Sequence, residues 1–350
     1  MHGTNYKGEC MALRMAINGF GRIGRTFLRV VLQDPQARQA LTVMAINIGP
    51  AQRDMVAHMV QYDSIMGTYP EPVHMRGNQL VIGDYAIDII TELDPATIDW
   101  KRWNIDWVVE ASGHFTKREG ALKHLQAGAQ RVLITAPAQG EDITIIPGVN
   151  DQDLDLSKHV LVSLGSCTTN AYIPTLKILH NAFGIERSCM TTVHAYTNTQ
   201  VLLDVEEHDP RRARAAALNV IPTSTGAMKV VEKVMPELRG KVQGMALRVP
   251  VAIVSLLDLS FITTKEVTID AINRTFVQAS AETLKGIVGV THEPLVSSDF
   301  RGNSHSVIID SQLTSTCGPT MGKVFGWYDN EWGYSARLKD FLITVVRRAM

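Results

Sequence analysis

The segment INGFGRIGR, Ile17 to Arg25, sets Gly19, Gly21 and Gly24 in GxGxxG spacing. It follows the short apolar run LRMAIN (13–18) and opens GRTFLRVVLQD (24–34), whose apolar residues recur at helical spacing. That strand–turn–helix context distinguishes a phosphate-binding loop from a glycine-rich turn that holds nothing. The glycines allow a tight turn and let a pyrophosphate approach the helix N-terminus, where free N–H groups and the helix dipole favour an anion. The usual companion is an acidic residue ending the second strand, where it grips the ribose hydroxyls. The second strand here, LTVMAIN (41–47), is followed instead by Ile48 and Gly49. A dinucleotide is expected in the cradle, with altered ribose recognition.

Outward from this loop the first half alternates strand and helix. RDMVAHMVQYD (53–63) and TKREGALKHLQAG (116–128) read as helices; IDWVVEAS (105–112), RVLITAP (131–137) and HVLVSLG (159–165) read as strands. Such alternation implies crossover units and a mostly parallel sheet covered by helices. After Asn181 long strand-like runs dominate, among them ERSCMTTVHAYT (186–197) and GMALRVPVAIVSLLDLSFIT (244–263). These predict an α+β domain with a largely antiparallel sheet. The final EWGYSARLKDFLITVVRRA (331–349) is amphipathic, with Tyr334, Leu338, Phe341, Leu342, Val345 and Val346 on one stripe. A chain of 350 residues exceeds what one core usually serves. The expected division is a dinucleotide-binding domain over 12–166, completed by a C-terminal helix over 331–350, and a catalytic domain over 167–330. Residues 1–11 form a polar overhang.

The formal net charge of −1 gives no global attraction for nucleic acid or an acidic membrane. No apolar run is long enough to span a bilayer, and the N-terminus carries no apolar signal core. The four cysteines form no CxxC pair, so neither a metal site nor a disulfide framework is expected, and a reducing, cytoplasmic setting fits.

One cysteine is placed differently from the rest. In GSCTTN (165–170), Cys167 sits among Ser166, Thr168 and Thr169, just before TTNAYIPTLKILHNAF (168–183), which reads as a helix with Thr168 or Thr169 near its N-cap. His194, in TTVHAYT, is the candidate base. A helix N-terminus and a nearby imidazole both lower a thiol pKa, and the thiolate is the nucleophile. Cys189, in an apolar run, reads as a packed thiol. Ser166, Thr168, Thr197 and Thr225 are short donors suited to phosphate oxygens. Gly226 permits close backbone approach, and Arg248 supplies a fixed positive fork for the same anion.

INGFGRIGR, SCTTN, TTVHAYT, RRARAAALNVIPTSTGA (211–227), ALRVP and WYDNEWGYS (327–335) resemble, in order, the segments of the phosphorylating glyceraldehyde-3-phosphate dehydrogenase family. The resemblance runs from Ala12 to the end. It implies a Rossmann domain, a catalytic domain after it, and a homotetramer in which 201–222 packs at the subunit core, with Arg211, Arg212 and Arg214 near subunit contacts. It also implies oxidative phosphorylation of glyceraldehyde 3-phosphate to 1,3-bisphosphoglycerate through a hemithioacetal and a thioester on Cys167, with His194 as base. Thr197 and Arg248 resemble holders of the substrate phosphate. Ser166, Thr168, Thr225 and Gly226 resemble the site for attacking inorganic phosphate. Arg22 and Ile23 would line the pyrophosphate, Thr135 would lie beside the nicotinamide, and Asn330 would bind its carboxamide.

Three positions depart from the family pattern: Ile48 for the ribose-binding aspartate, Leu93 for an arginine near the adenine, and Ala171 for a second cysteine. The cofactor expected is NAD, with NADP turnover measurable because Ile48 cannot repel the extra phosphate. Two rival functions remain. Erythrose-4-phosphate dehydrogenase is disfavoured by the intact TSTGA, and a non-catalytic binding protein by the presence of Cys167, His194, Arg248 and Asn330.

Overall fold

The structure is a computed structural model and describes residues 12–349. The expected overhang 1–11, Cys10 within it, and Met350 lie outside the described residues. The chain adopts the expected class: two sheets, each with its own helices and core.

The first sheet is built on the parallel strands Leu13–Asn18, Leu41–Asn47, Trp107–Glu110, Arg131–Ile134 and Leu161–Ser163. Their side chains are buried on both faces, as crossover helices require. Strands Val73–Arg76, Gln79–Ile82 and Tyr85–Ile90 extend one edge, the first two pairs antiparallel; none was anticipated from the sequence. The strand ends Asn18, Asn47 and Glu110 fall side by side, in register, beneath the glycine loop.

The last helix, Trp332–Ala349, returns to this domain. Tyr334, Leu338, Phe341, Leu342, Val345 and Val346 are all buried, in one cluster with Phe27, Leu28 and Val31 of the first helix, Arg22–Gln33. The Phe341 ring meets Trp107 edge-on at 5.6 Å. Each such side chain contributes roughly 1.5–3 kcal/mol on burial, enough to hold a terminal helix whose nearest sequence neighbours lie in the other sheet.

The second sheet runs Ile221–Thr223, Val242–Val249, Ile185–Ala195, Ser255–Thr263, Met321–Tyr328, Val307–Asp310, Val288–Thr291. Most pairings are antiparallel, but Val288–Thr291 runs parallel to Val307–Asp310, and Ile185–Ala195 runs parallel to Val242–Val249 and pairs His194 with Arg248. The helix Cys167–Phe183 covers one face of this sheet. Cys167 touches both main cores, so the sulfur stands at their junction.

Candidate active site

Cys167 is the first residue of its helix, and the N-cap is Ser166, not a threonine. Ser166 Oγ accepts from the Thr169 amide at 3.2 Å, and Thr169 Oγ1 accepts from the Ser166 amide at 2.6 Å. This reciprocal capping box fixes the turn just before the sulfur. Gly165 is needed there: φ is +63°, and a β-carbon would strike the Thr169 hydroxyl. The Tyr334 hydroxyl, from the terminal helix, donates to the Gly165 carbonyl at 2.8 Å.

His194 reaches the same point from the second sheet. Its Nε2 lies 3.4 Å from Cys167 Sγ. On the other side of the ring, Nδ1 is 2.6 Å from the Ala195 carbonyl and 2.5 Å from Arg248 Nη1. Those neighbours call for opposite tautomers: the carbonyl needs Nδ1–H, whereas the guanidinium needs the Nδ1 lone pair. Only Nδ1–H leaves the Nε2 lone pair free toward the thiol. Burial, then the Arg248 charge, pushes the His194 pKa down to about 3, against the pull of the Ala195 carbonyl. The imidazole is neutral at physiological pH and able to take a proton.

Cys167 corrects an expectation. Burial pushes its thiol up, and the Arg248 charge and the Thr168 hydrogen bonds only partly oppose this. Both shifts favour the uncharged forms, thiol and neutral imidazole, over thiolate and imidazolium. Thr168 is itself buried, with its hydroxyl 3.1 Å from Tyr328 OH and 4.0 Å from the sulfur, not on an open surface. Tyr328 OH also meets Thr192 at 2.6 Å, and its ring stands edge-on to His194.

Asn330 joins through one intermediary. Ser255 Oγ accepts from the Ala195 amide and donates to Asn330 Oδ1, both at 3.1 Å. The Asn330 N–H donors remain available for an amide-bearing ligand. Val254, just before Ser255, holds φ at +69°, which is strained for a β-branched residue.

The other predicted positions surround this centre without touching it. The Thr197 hydroxyl is 2.9 Å from that of Thr199 and donates to Gln200 at 3.2 Å, in the turn after the His194 strand. Thr225 Oγ1 accepts from the Ala227 amide at 3.3 Å. Gly226 caps the helix Ala227–Val234 without a side chain and faces Pro137, two residues after Thr135. Both the amide and the hydroxyl of Thr135 donate to the Glu110 carbonyl at 3.0 Å.

Sequence reasoning missed Arg212 as part of this group. Its guanidinium donates to Thr223 Oγ1 at 2.6 and 3.0 Å, two residues before Thr225. The Arg212 charge lies close enough to weigh against that of Arg248, so two cations converge on one end of the sheet. Cys189 was misread: it is exposed, on the opposite face of its strand from His194. Among the described residues no group of His, Cys, Asp and Glu is arranged to hold a metal.

The glycine loop fits a dinucleotide. A β-carbon at Gly19 would fall on the backbone of Ala111–Ser112, and one at Gly24 on the Gly19 carbonyl, so both are packing requirements. At Gly21 a β-carbon would meet nothing within 4 Å. Gly21 is also the N-cap of a 12-residue helix that no side chain caps. That leaves the first amides, Arg22 and Ile23 among them, facing open space suited to a pyrophosphate. The Arg22 side chain is committed elsewhere: Nη1 to Asp63 at 2.5 Å, Nη2 and Nε to Glu331 at 2.5 and 2.9 Å. Ile48 is 9% exposed and packs in the first core, so it presents no acceptor to a ribose.

Two family models match the chain: the glyceraldehyde 3-phosphate dehydrogenase NAD binding domain over residues 13–118, and the C-terminal domain of the same enzyme over 166–330. Glyceraldehyde-3-phosphate dehydrogenase 1 of Bacillus subtilis (strain 168) is 47% identical over 97% of this chain and 100% of its own length. The enzyme of Priestia megaterium (strain DSM 319 / IMG 1521) is 48% identical over 94% of this chain and 97% of its own. That of Geobacillus stearothermophilus is 46% identical over 97% and 100%. With its cradle, its thiol–imidazole pair and both domain matches in one continuous alignment, the chain belongs to the glyceraldehyde 3-phosphate dehydrogenase family.

Proposed function

We propose that this chain is an NAD-dependent dehydrogenase that oxidises glyceraldehyde 3-phosphate and transfers the acyl group to inorganic phosphate. The carrying observation is the 3.4 Å approach of His194 Nε2 to Cys167 Sγ at the first turn of an N-capped helix. The Cys167 sulfur adds to the aldehyde carbon as His194 takes the thiol proton. The imidazolium returns that proton to the hemithioacetal oxygen and later removes it as the carbon is oxidised to a thioester. When bound, NAD supplies the hydride acceptor. Arg22 and Ile23 amides would hold its pyrophosphate, Asn330 its carboxamide, and Thr135 would stand beside the nicotinamide.

A substrate phosphate on Arg248 and Thr197 does two things at once. It neutralises the charge that depresses the His194 pKa, and it draws Arg248 off Nδ1. Nδ1–H is then left with the Ala195 carbonyl, and Nε2 becomes the base. Ser166, Thr168, Thr225 and Gly226, with Arg212 nearby, form the site for attacking phosphate; Thr168 must first release Tyr328. The test is an initial-rate assay with and without phosphate or arsenate. Equal turnover without either would favour hydrolysis of the thioester and hence the erythrose-4-phosphate dehydrogenase reading. Cys167→Ser retaining more than a few per cent of the activity would remove the nucleophile assigned here.

NADP turnover is part of the same reading, supported by the lack of any acceptor at Ile48. Rejection of NADP by more than about a thousand-fold in kcat/KM, some 4 kcal/mol, would refute it. We further propose a homotetramer, supported by an exposed apolar set on 201–222: Leu202 at 85%, Leu218 at 80%, with Leu203, Val205 and Val220. The domain division 12–166 with 331–350, and 167–330, is supported by the two main cores, with Ile146 and Val149 of the first segment packing into the second. No described helix is long and apolar enough to cross a membrane. A cytoplasmic location is supported by Cys167, Cys189 and Cys317, all free thiols.

A further inference from the structure

Behind the glycine loop lies a buried polar chain that the proposed mechanism does not use. Trp100 Nε1 donates to His124 Nδ1 at 3.2 Å. An indole N–H can only donate, so Nδ1 accepts, and the His124 proton sits on Nε2. Nε2 lies 2.9 Å from Glu110 Oε2 and donates to it. The same oxygen accepts from Asn18 Nδ2 at 2.6 Å, and Oε1 accepts from the Ser112 amide at 2.8 Å and hydroxyl at 2.5 Å. Asn18 Oδ1 accepts from Asn47 Nδ2 at 2.7 Å. Asn47 then clamps Glu92, donating to its carbonyl at 2.9 Å and accepting from its amide at 3.0 Å, and accepts from the Gly49 amide at 3.3 Å. The indole thus fixes the His124 tautomer, and the acceptor-only Glu110 carboxylate orients the Asn18 and Asn47 amides. Trp100, His124, Glu110, Asn18 and Asn47 are all at most 3% exposed.

Elementary energetics make this arrangement expensive unless it performs a task. A row of apolar side chains at three adjacent strand ends would pack as well without desolvating a carboxylate. Glu110 holds Ser112, against which Gly19 packs, and Asn47 at the far end of the chain holds the 47–49 turn and the Glu92–Leu93 loop. These segments carry the glycine loop and the two positions where ribose and adenine recognition departs from the family pattern, Ile48 and Leu93.

We propose that the Trp100–His124–Glu110–Asn18–Asn47 chain positions the adenosine half of the dinucleotide, with His124 and Glu110 acting through Asn47 rather than touching the ligand. The proposal rests on the cofactor reading above. It gives this chain a means of ordering the adenosine walls without the ribose-binding carboxylate that Ile48 replaces.

The experiment is equilibrium titration of the cofactor-free enzyme with NAD and with ADP-ribose, alongside steady-state kinetics and a thermal unfolding midpoint. His124→Phe keeps a ring but removes the donor to Glu110. It is expected to weaken both NAD and ADP-ribose binding at least about ten-fold, the loss of one hydrogen bond to a charged group. The kcat at saturating NAD and the KM for aldehyde should stay within about two-fold. His124→Gln, which can still present an N–H to Glu110, should restore most of the affinity. Asn47→Ser, at the loop end of the chain, should reproduce the loss if His124→Phe fails to fold. A folded His124→Phe or Asn47→Ser that binds ADP-ribose as the wild type does would overturn the proposal, as would a lowered unfolding midpoint with unchanged affinity. Wild-type enzyme that binds neither probe would overturn the cofactor reading and this inference with it.

Discussion

Arg22 is the perturbation with the largest calculable consequence. Its guanidinium joins the first turn of the cofactor helix to Asp63, at the end of the Asp54–Gln61 helix, and to Glu331, next to Asn330. The side chains are 21%, 4% and 11% exposed, so water screens the pairs little. Burial works against Asp63 ionising, yet the bonds from Arg22 and from the Met66 and Ile65 amides hold its pKa down to about 2. The usual value is 3.8, so the linkage contributes about 2 kcal/mol, fully present above pH 4 and lost as pH falls through 2. Arg22→Leu leaves both carboxylates buried without a cation, a change that costs about 3–5 kcal/mol when one partner of a buried pair is removed. We expect about 3 kcal/mol at pH 7, because Arg22 keeps some solvent contact. The deficit then shrinks as pH falls. Without Arg22 the Asp63 pKa rises, protonation relieves its unpaired charge, and the gap to wild type narrows toward pH 4.5. The assay is denaturant unfolding followed by tryptophan fluorescence at both pH values, or unfolding rates if refolding is incomplete. Adding Asp63→Asn and Glu331→Gln to the variant should recover part of the loss at pH 7. A deficit under about 0.5 kcal/mol at pH 7, or one that widens on acidification, would refute the reasoning.

His194→Asn should lower kcat/KM by roughly 10²–10⁴-fold, the usual worth of a positioned base, and a loss below ten-fold in initial rates would take His194 out of that role. Ser166→Ala removes the N-cap acceptor from the Cys167 helix and should cost about 1 kcal/mol, read from the unfolding midpoint, while an unchanged midpoint would mean the turn is held by other contacts. Val254→Gly relieves a left-handed strain of about 1–2 kcal/mol that Val254→Ala retains. The glycine variant should therefore be at least as stable as the alanine one, whereas in ordinary strand backbone it is weaker by roughly 0.5–1 kcal/mol; finding that ordinary order would show that Val254 is unstrained.

Local pattern was enough for the strand–helix alternation, the glycine cradle and the terminal stripe, because each is written in consecutive residues. The edge strands were also within reach: Gly77-Asn78 and Gly83-Asp84 are two-residue hairpin signals, with positive φ at both glycines. Cys189 was legible too. It lies five residues before His194, and an odd offset in a strand puts the two side chains on opposite faces, so an inward His194 implies an outward Cys189. Other features depend on contacts no single segment contains. The upward shift of the Cys167 pKa follows from burial between two cores, and Arg212 is held by the Thr223 hydroxyl and the Asp209 carboxylate together. The deepest of these is the meeting of His194 and Arg248, 54 residues apart and paired through one parallel register. Slipping that ladder by a single residue would send Arg248 to the face that carries Cys189. The thiol–imidazole pair would survive such a slip, but the charge that adds to burial in depressing the imidazole pKa, and that competes for Nδ1, would be gone. The chemistry at Cys167 thus depends on strand pairing as much as on the residues in the SCTTN segment.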